Sequence, residues 1–195
     1  MQINMHARRL APPVLETFKV LGLALLLPAV VMAQGETFKA TAAVKSPTAA
    51  ASAPVTIQIN RFVSEAERDK IVTAVRGNDQ AATRKALEAA EDIGYIEVNT
   101  RRTPIKYAYA RSTGSGRMIT VLTAKPIANL GAGAPGAKPK GDYELALALL
   151  ILDDKNAGDG EMSPAVTLKV DGEGAIVTSD YSKEHVRLTG ISKVK

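Results

Sequence analysis

Eight basic residues stand between Val98 and Gly141 with no acid among them: Arg101, Arg102, Lys106, Arg111, Arg117, Lys125, Lys138 and Lys140. Two of them flank a loop. Ser112 to Gly116 (STGSG) has the composition of a β-hairpin turn, with Arg111 before it and Arg117 after it. A hairpin closed there sets Arg111 opposite Arg117, Tyr109 opposite Ile119 and Tyr107 opposite Val121. Side chains alternate along a strand, so these six residues are expected on one face. Like charges directly opposite each other destabilise a strand pair unless something offsets them. Solvent or an acid from a neighbouring strand can do so. So can a ligand whose anionic head lies between the guanidinium groups and whose apolar body lies along Tyr107 and Tyr109. Arg111, Arg117, Tyr107 and Tyr109 are therefore the candidate binding residues. The next stretch, Asp142 to Glu161, carries six acids and one lysine. Pairing between neighbouring basic and acidic strands would account for the basic run without any ligand.

Composition narrows the other chemistries. The chain has no cysteine, which excludes disulfides, thiolate metal sites and a cysteine nucleophile. Of its two histidines only His185 lies outside the N-terminal leader, and its alternation with Arg187 reads as an exposed strand position. Asp153 to Glu161 (DDKNAGDGE) superficially suggests a calcium loop. Counting from Asp154, however, Gly158 offers no side-chain oxygen and the twelfth position is Ala165. An acidic, glycine-rich turn explains it better. Asp153 and Asp154 are adjacent in a strand and point to opposite faces, so they cannot work as one acid–base pair. Gly114-Ser115-Gly116 and Gly131-Ala132-Gly133 do not lie between a strand and a helix, as a phosphate loop must. No G-x-S-x-G motif accompanies the histidine. No metal and no cofactor is implied. An enzyme using carboxylate or Lys/Tyr chemistry remains the alternative to a binding protein.

The elements that must position these residues follow from periodicity. Thr37 to Val44 alternates weakly as a strand, and Ser46 to Pro54 has the composition of a linker. Val55, Ile57 and Ile59 mark a clear half-buried strand. Ser64 and Glu67 form a capping box. Ile71, Val72 and Val75 then follow at helical spacing, with Gly77 as the expected stop. Asn78 or Asp79 caps a second helix, whose stripe is Ala82, Ala86, Leu87 and Ala90. The result is a helical hairpin over about 64–91. From Ile93 the period falls to two, in about seven antiparallel strands. One of these runs through Ile105, Tyr107 and Tyr109. The strongest has Tyr143, Leu145, Leu147, Leu149 and Ile151 on one face and Ala146 and Ala148 on the other. Asn156 to Gly160 is expected to turn the chain. The alanine face should admit a close neighbour, for which the second helix is the natural candidate. Residues 128–142 read as a flexible Gly/Ala/Pro/Lys loop. The fold class expected is mainly β, an antiparallel meander forming a barrel or a two-layer sandwich, with an inserted two-helix hairpin. By fold analogy alone this is similar to small lipid-binding barrels.

Residues 1–33 read as a signal peptide. Arg8, Arg9 and Lys19 precede a 14-residue apolar run, Val20 to Ala33, and Val31 and Ala33 fit the small-residue cleavage pattern. The run is shorter than the roughly 20 residues of a membrane span, so no stable span is expected after cleavage. The expected mature chain, 34–195, forms a single exported domain in the periplasm or outside the cell. Cleavage leaves 22 basic and 19 acidic residues, so the net charge falls from +5 to +3, too mild to imply nucleic acid. Ile93 to Ile96 (IGYI), Ile105 to Ala108 (IKYA), Arg117 to Ile127 (RMITVLTAKPI), Gly158 to Glu161 and Val186 to Thr189 carry a further likeness. On these stretches the chain resembles a family of exported bacterial proteins known only as hypothetical sequences. At Ala124-Lys125-Pro126 that family would have an acid and an arginine before the proline. The resemblance implies export and a shared fold, and carries no catalytic residue. The function expected is non-enzymatic binding of an amphipathic or anionic small molecule, or of a cell-envelope protein.

Overall fold

The computed structural model describes residues 35–45, 50–127, 143–181 and 186–194. The leader at 1–33, the loop at 128–142 and His185 lie outside the described residues. β1 (Glu36–Lys45) and β2 (Ala50–Ile59) pair antiparallel along their whole length, with Phe38 opposite Ile57 and Ala42 opposite Ala53. The stretch expected as a linker is thus strand from Ala50 onward. Its partner is β1, and local composition does not register a partner.

Two helices follow. α1 (Glu65–Arg76) starts on the expected capping box: the Glu67 N–H donates to Ser64 Oγ at 3.3 Å, and the Ser64 N–H donates to Glu67 Oε2 at 2.7 Å. Gly77 keeps right-handed geometry at φ −63°. The left-handed residue is Asn78, at φ 56°. Asp79 then caps α2 (Gln80–Ala89), accepting from the Ala81 and Ala82 N–H groups. The buried stripe of α2 is Thr83 and Leu87, not the expected alanines: Ala82 is exposed, and Ala86 and Ala90 are half-buried. Thr83 can be buried because its hydroxyl donates to the carbonyls of Ala74 and Asp79.

Eight strands come after the helices: β3 (Gly94–Val98), β4 (Arg101–Ile105), β5 (Tyr107–Thr113), β6 (Gly116–Thr123), β7 (Leu145–Asp153), β8 (Ala157–Val170), β9 (Ile176–Tyr181) and β10 (Val186–Lys193). Their order in one antiparallel sheet is β4-β3-β2-β1-β10-β8-β7-β6-β5, with β9 on β8. The sheet is nearly closed into a barrel. The two outermost strands, β4 and β5, are consecutive in the chain and meet at Lys106. The strand expected through Ile105, Tyr107 and Tyr109 is therefore two. Its first half pairs with β3 and its second with β6, and the faces switch at the joint. Ile105 packs in the barrel core, while Tyr107 packs outside it under the helices.

Phe38, Ile57, Ile96, Ile119, Leu150 and Met162 occupy the barrel interior. Outside it, Ile71, Val72, Val75 and Leu87 of the helices pack on Tyr107, Leu122, Leu145, Leu147 and Leu168. Strands β6 and β7 are covered on both faces, so Ile119 to Thr123 and Leu145 to Ala148 are buried without alternation. The helices lie on the leucine face of β7 rather than the alanine face. Ala146 and Ala148 instead face the barrel core, where their small size leaves room for side chains such as Phe38 and Met162. The expected turn over Asn156 to Gly160 is also displaced. The chain turns before Ala157, and Gly158 and Gly160 lie within β8. A Cβ at these two positions would stand 2.0 Å from the Ile151 carbonyl oxygen and 2.2 Å from that of Leu149. These glycines answer to the close approach of β7.

Candidate functional site

The structure separates the four candidate binding residues. The β5–β6 hairpin closes more tightly than its composition suggests, with Thr113 opposite Gly116. Arg111 is therefore opposite Met118, Tyr109 opposite Thr120 and Tyr107 opposite Leu122. A one-residue change of register moves a whole strand's side chains to the other face, and Arg111 and Arg117 end on opposite sides of the sheet. Arg111 remains with the tyrosines on the outer face, where its Nη1 pairs with Glu173 Oε2 at 3.1 Å. Tyr107 is buried, and burial raises its phenol pKa. Tyr109 donates to Glu65 Oε1 at 3.0 Å, and the Arg68 guanidinium stands 4.9 Å from the centre of its ring. Arg117 faces inward over the Phe38 ring. Its Nη2 lies 2.8 Å from Glu36 Oε2 and donates to Asn156 Oδ1, while Lys193 Nζ holds Glu36 Oε1 at 2.7 Å. Arg117 is thus answered by Glu36, as Arg111 is by Glu173 on the other face. The clamp between two arginines does not form.

A different place gathers apolar surface and charge. On α1, Glu67, Lys70 and Ile71 share one face at helical spacing. On α2, Ala86, Ala89 and Ala90 do the same. The two faces line a groove of 450 Å³, together with Arg61 and Val63 from the β2–α1 connection, Glu91 from the α2–β3 connection, and Lys106. Three alanines keep the groove open where larger side chains would fill it. Its floor is Val63, Ile71 and Ala86, and its rim is charged. A second depression of 370 Å³ is lined by Glu88, Asp92, Pro104, Ala124, Lys125 and Lys106. Lys106 is thus common to the two.

The rim is tied by a network. Arg61 grips Glu67 with both terminal nitrogens, Nη1 to Oε2 at 3.1 Å and Nη2 to Oε1 at 2.9 Å. The Ser64 hydroxyl and N–H add two more bonds to Glu67. Arg61 first, and then these Ser64 bonds, hold the Glu67 carboxyl down at about 2. The same partnership raises the Arg61 pKa. Arg61 Nη2 also reaches Glu91 Oε2 at 3.2 Å. Lys106 Nζ lies 2.7 Å from Asp92 Oδ1 and donates to the Ala90 carbonyl at 2.8 Å, a cation placed at the C-terminal end of α2. The adjacent acids Glu91 and Asp92 thus each cover one rim cation.

Sequence reasoning found Glu67 only as a cap and missed Arg61, Glu91 and the groove. The available signal was the pair of facing triplets, 67/70/71 and 86/89/90, the second made wholly of alanine. A carboxylate held at about 2 is a poor base at neutral pH, and no serine, threonine or cysteine is among the described residues that line the groove. Among the described residues no three carboxylate or imidazole side chains gather to hold a metal ion. The arrangement suits binding: an apolar floor for a hydrocarbon and rim cations for a polar end. No protein-family model, no curated protein and no solved structure matches the chain.

Proposed function

We propose that this is an exported, non-catalytic binding protein that takes a small amphipathic molecule into the groove between its two helices. The observation that carries the reading is the groove itself. Its 450 Å³ falls within the roughly 300–1,000 Å³ of small-molecule sites. Its floor is apolar, and Arg61 and Lys106, which meet the adjacent acids Glu91 and Asp92, line it. Export rests on the leader and on the resemblance to exported proteins. N-terminal sequencing of the mature protein is expected to begin at Gln34, and Met1 retained in a membrane fraction would overturn this.

Binding is tested by calorimetric titration of medium-chain fatty acids and lysophospholipids into the wild type and into Ala86→Phe. Ala86 is half-buried on the groove floor, so a benzyl group there fills the cavity while leaving the helix intact. Saturable binding to the wild type, lost in Ala86→Phe at an unchanged unfolding midpoint, is the expected result. Absence of saturable binding to the wild type ends the reading.

A further inference from the structure

The charged rim of the groove already holds a carboxylate that looks replaceable. Arg61 carries two acids of unequal standing. Glu67 is gripped by two arginine nitrogens and by Ser64, and it caps α1. Glu91 makes one bond, the longest of the set at 3.2 Å, to an arginine nitrogen that Glu67 also uses. The Glu91 side chain is 81% exposed, and it belongs to the short connection between α2 and β3 rather than to a helix or strand. Exposed single pairs of this kind contribute little to stability. A carboxylate arriving with a buried apolar body has the advantage over Glu91, because it brings hydrophobic burial to the same hydrogen bond.

We infer that Glu91 is a built-in stand-in for the ligand's head group, and that the groove selects amphiphiles bearing a single carboxylate, which displace Glu91 from Arg61. The inference rests on the reading of the groove as a ligand site and specifies its substrate class. Charge supports the choice of a monoanion. With Glu91 displaced, Arg61, Lys70 and Lys106 face Glu67 and Asp92, which leaves one positive charge. Lys70 makes no ion pair with a described residue, and it lines the same groove. A doubly charged head would meet Glu67, which is committed to its cap and cannot move aside. A neutral head would leave Glu91 in place and gain nothing from Arg61.

The test titrates decanoate and decan-1-ol into the wild type, Glu91→Gln and Glu97→Gln. Glu97 lies on the outer face of β3, paired with Arg102, and its replacement reports the general effect of removing one negative charge. Glu91→Gln should bind decanoate about two- to five-fold more tightly than the wild type, the factor expected from freeing one exposed ion pair. Glu97→Gln should match the wild type, and decan-1-ol should bind more weakly than decanoate and be indifferent to Glu91→Gln. Unchanged or weaker decanoate binding in Glu91→Gln overturns the inference, as does an equal gain in Glu97→Gln. Decan-1-ol binding as tightly as decanoate overturns the head-group selection and leaves the groove as an apolar site. If neither compound binds any of the three proteins, the groove is not a ligand site and both readings fall.

Discussion

Replacing Glu67 by alanine probes the groove's most committed side chain. The substitution removes three things: the bond from the Ser64 N–H at 2.7 Å, the Arg61 fork at 2.9 and 3.1 Å, and a negative charge in the first turn of α1. The Glu67 side chain is 40% exposed, so each is taken at surface strength. The cap contributes about 0.5–1 kcal/mol, the fork about 0.5 kcal/mol and the helix-dipole interaction about 0.5 kcal/mol. Allowing for overlap, Glu67→Ala should cost about 1.5 kcal/mol at pH 7, a fall in melting temperature of about 3–6 °C for a domain of this size.

The pH dependence makes that figure refutable. The folded-state carboxyl titrates at about 2, against an ordinary 4.5. Its contribution is complete above 4.5, shrinks as the pH falls and is gone below about 2, because a lowered pKa means that the unfolded chain takes up the proton first. At pH 3 the difference between wild type and Glu67→Ala should be about half its pH 7 value or less. Urea unfolding at pH 7, 4 and 3 measures it. An equal difference at pH 7 and pH 3 would show that the ionised carboxylate is not what Arg61 and Ser64 stabilise.

Two other outcomes follow from the packing. Gly160→Ala should destabilise by about 3 kcal/mol or more, because the new Cβ would stand 2.2 Å from the Leu149 carbonyl oxygen and a paired strand cannot retreat. Gly114→Ala, with nothing within 4 Å, should leave the unfolding midpoint unchanged; similar midpoints for the two variants would refute the close approach of β7 and β8. Arg117→Met should cost about 2 kcal/mol, because it leaves Glu36, only 11% exposed, with Lys193 alone, whereas Arg111→Met removes only an exposed pair and should cost about 0.5 kcal/mol or less. Equal losses by chemical denaturation would mean that both arginines lie on one face after all.

How much of this was legible depended on whether the deciding partner was local. The capping box at Ser64 and Glu67 was readable because its partners are three residues apart. Val55, Ile57 and Ile59 were readable because alternation against a solvated outer face survives in the sequence. Register was not. Ser112 to Gly116 supports either a tight or a wider turn, and the difference of one residue carried Arg117 from the outer face to the inner one. The switch of faces at Lys106 was hidden for a similar reason: Ile105, Tyr107 and Tyr109 alternate smoothly, while the barrel needs a bend there to pair one half with β3 and the other with β6. Gly158 and Gly160 read as a turn because local composition cannot separate a glycine that bends the chain from one that admits a neighbouring backbone.

The site was obscured by the strength of another signal. The basic run from Val98 to Gly141 reads as a place where anions collect, yet several of its cations meet acids of this chain. Arg102 meets Glu97, Lys106 meets Asp92, Arg111 meets Glu173 and Arg117 meets Glu36. None of those acids comes from the acidic stretch expected to neutralise the run, which instead supplies Glu144 to Arg84 and Asp159 to Arg187. Glu36 is held by two cations and is 11% exposed, so Arg117 has little left to offer a ligand. Glu173 and Asp92 are held no more firmly than Glu91: each is exposed, makes a single ion pair and sits on a short connection. Arg61 lies outside the run, and what sets it apart is its place, because it lines an apolar-floored groove and holds Glu67 as well as Glu91. Net charge along the chain cannot reveal that, because the groove is assembled from two helices and from connections that are separated in the sequence.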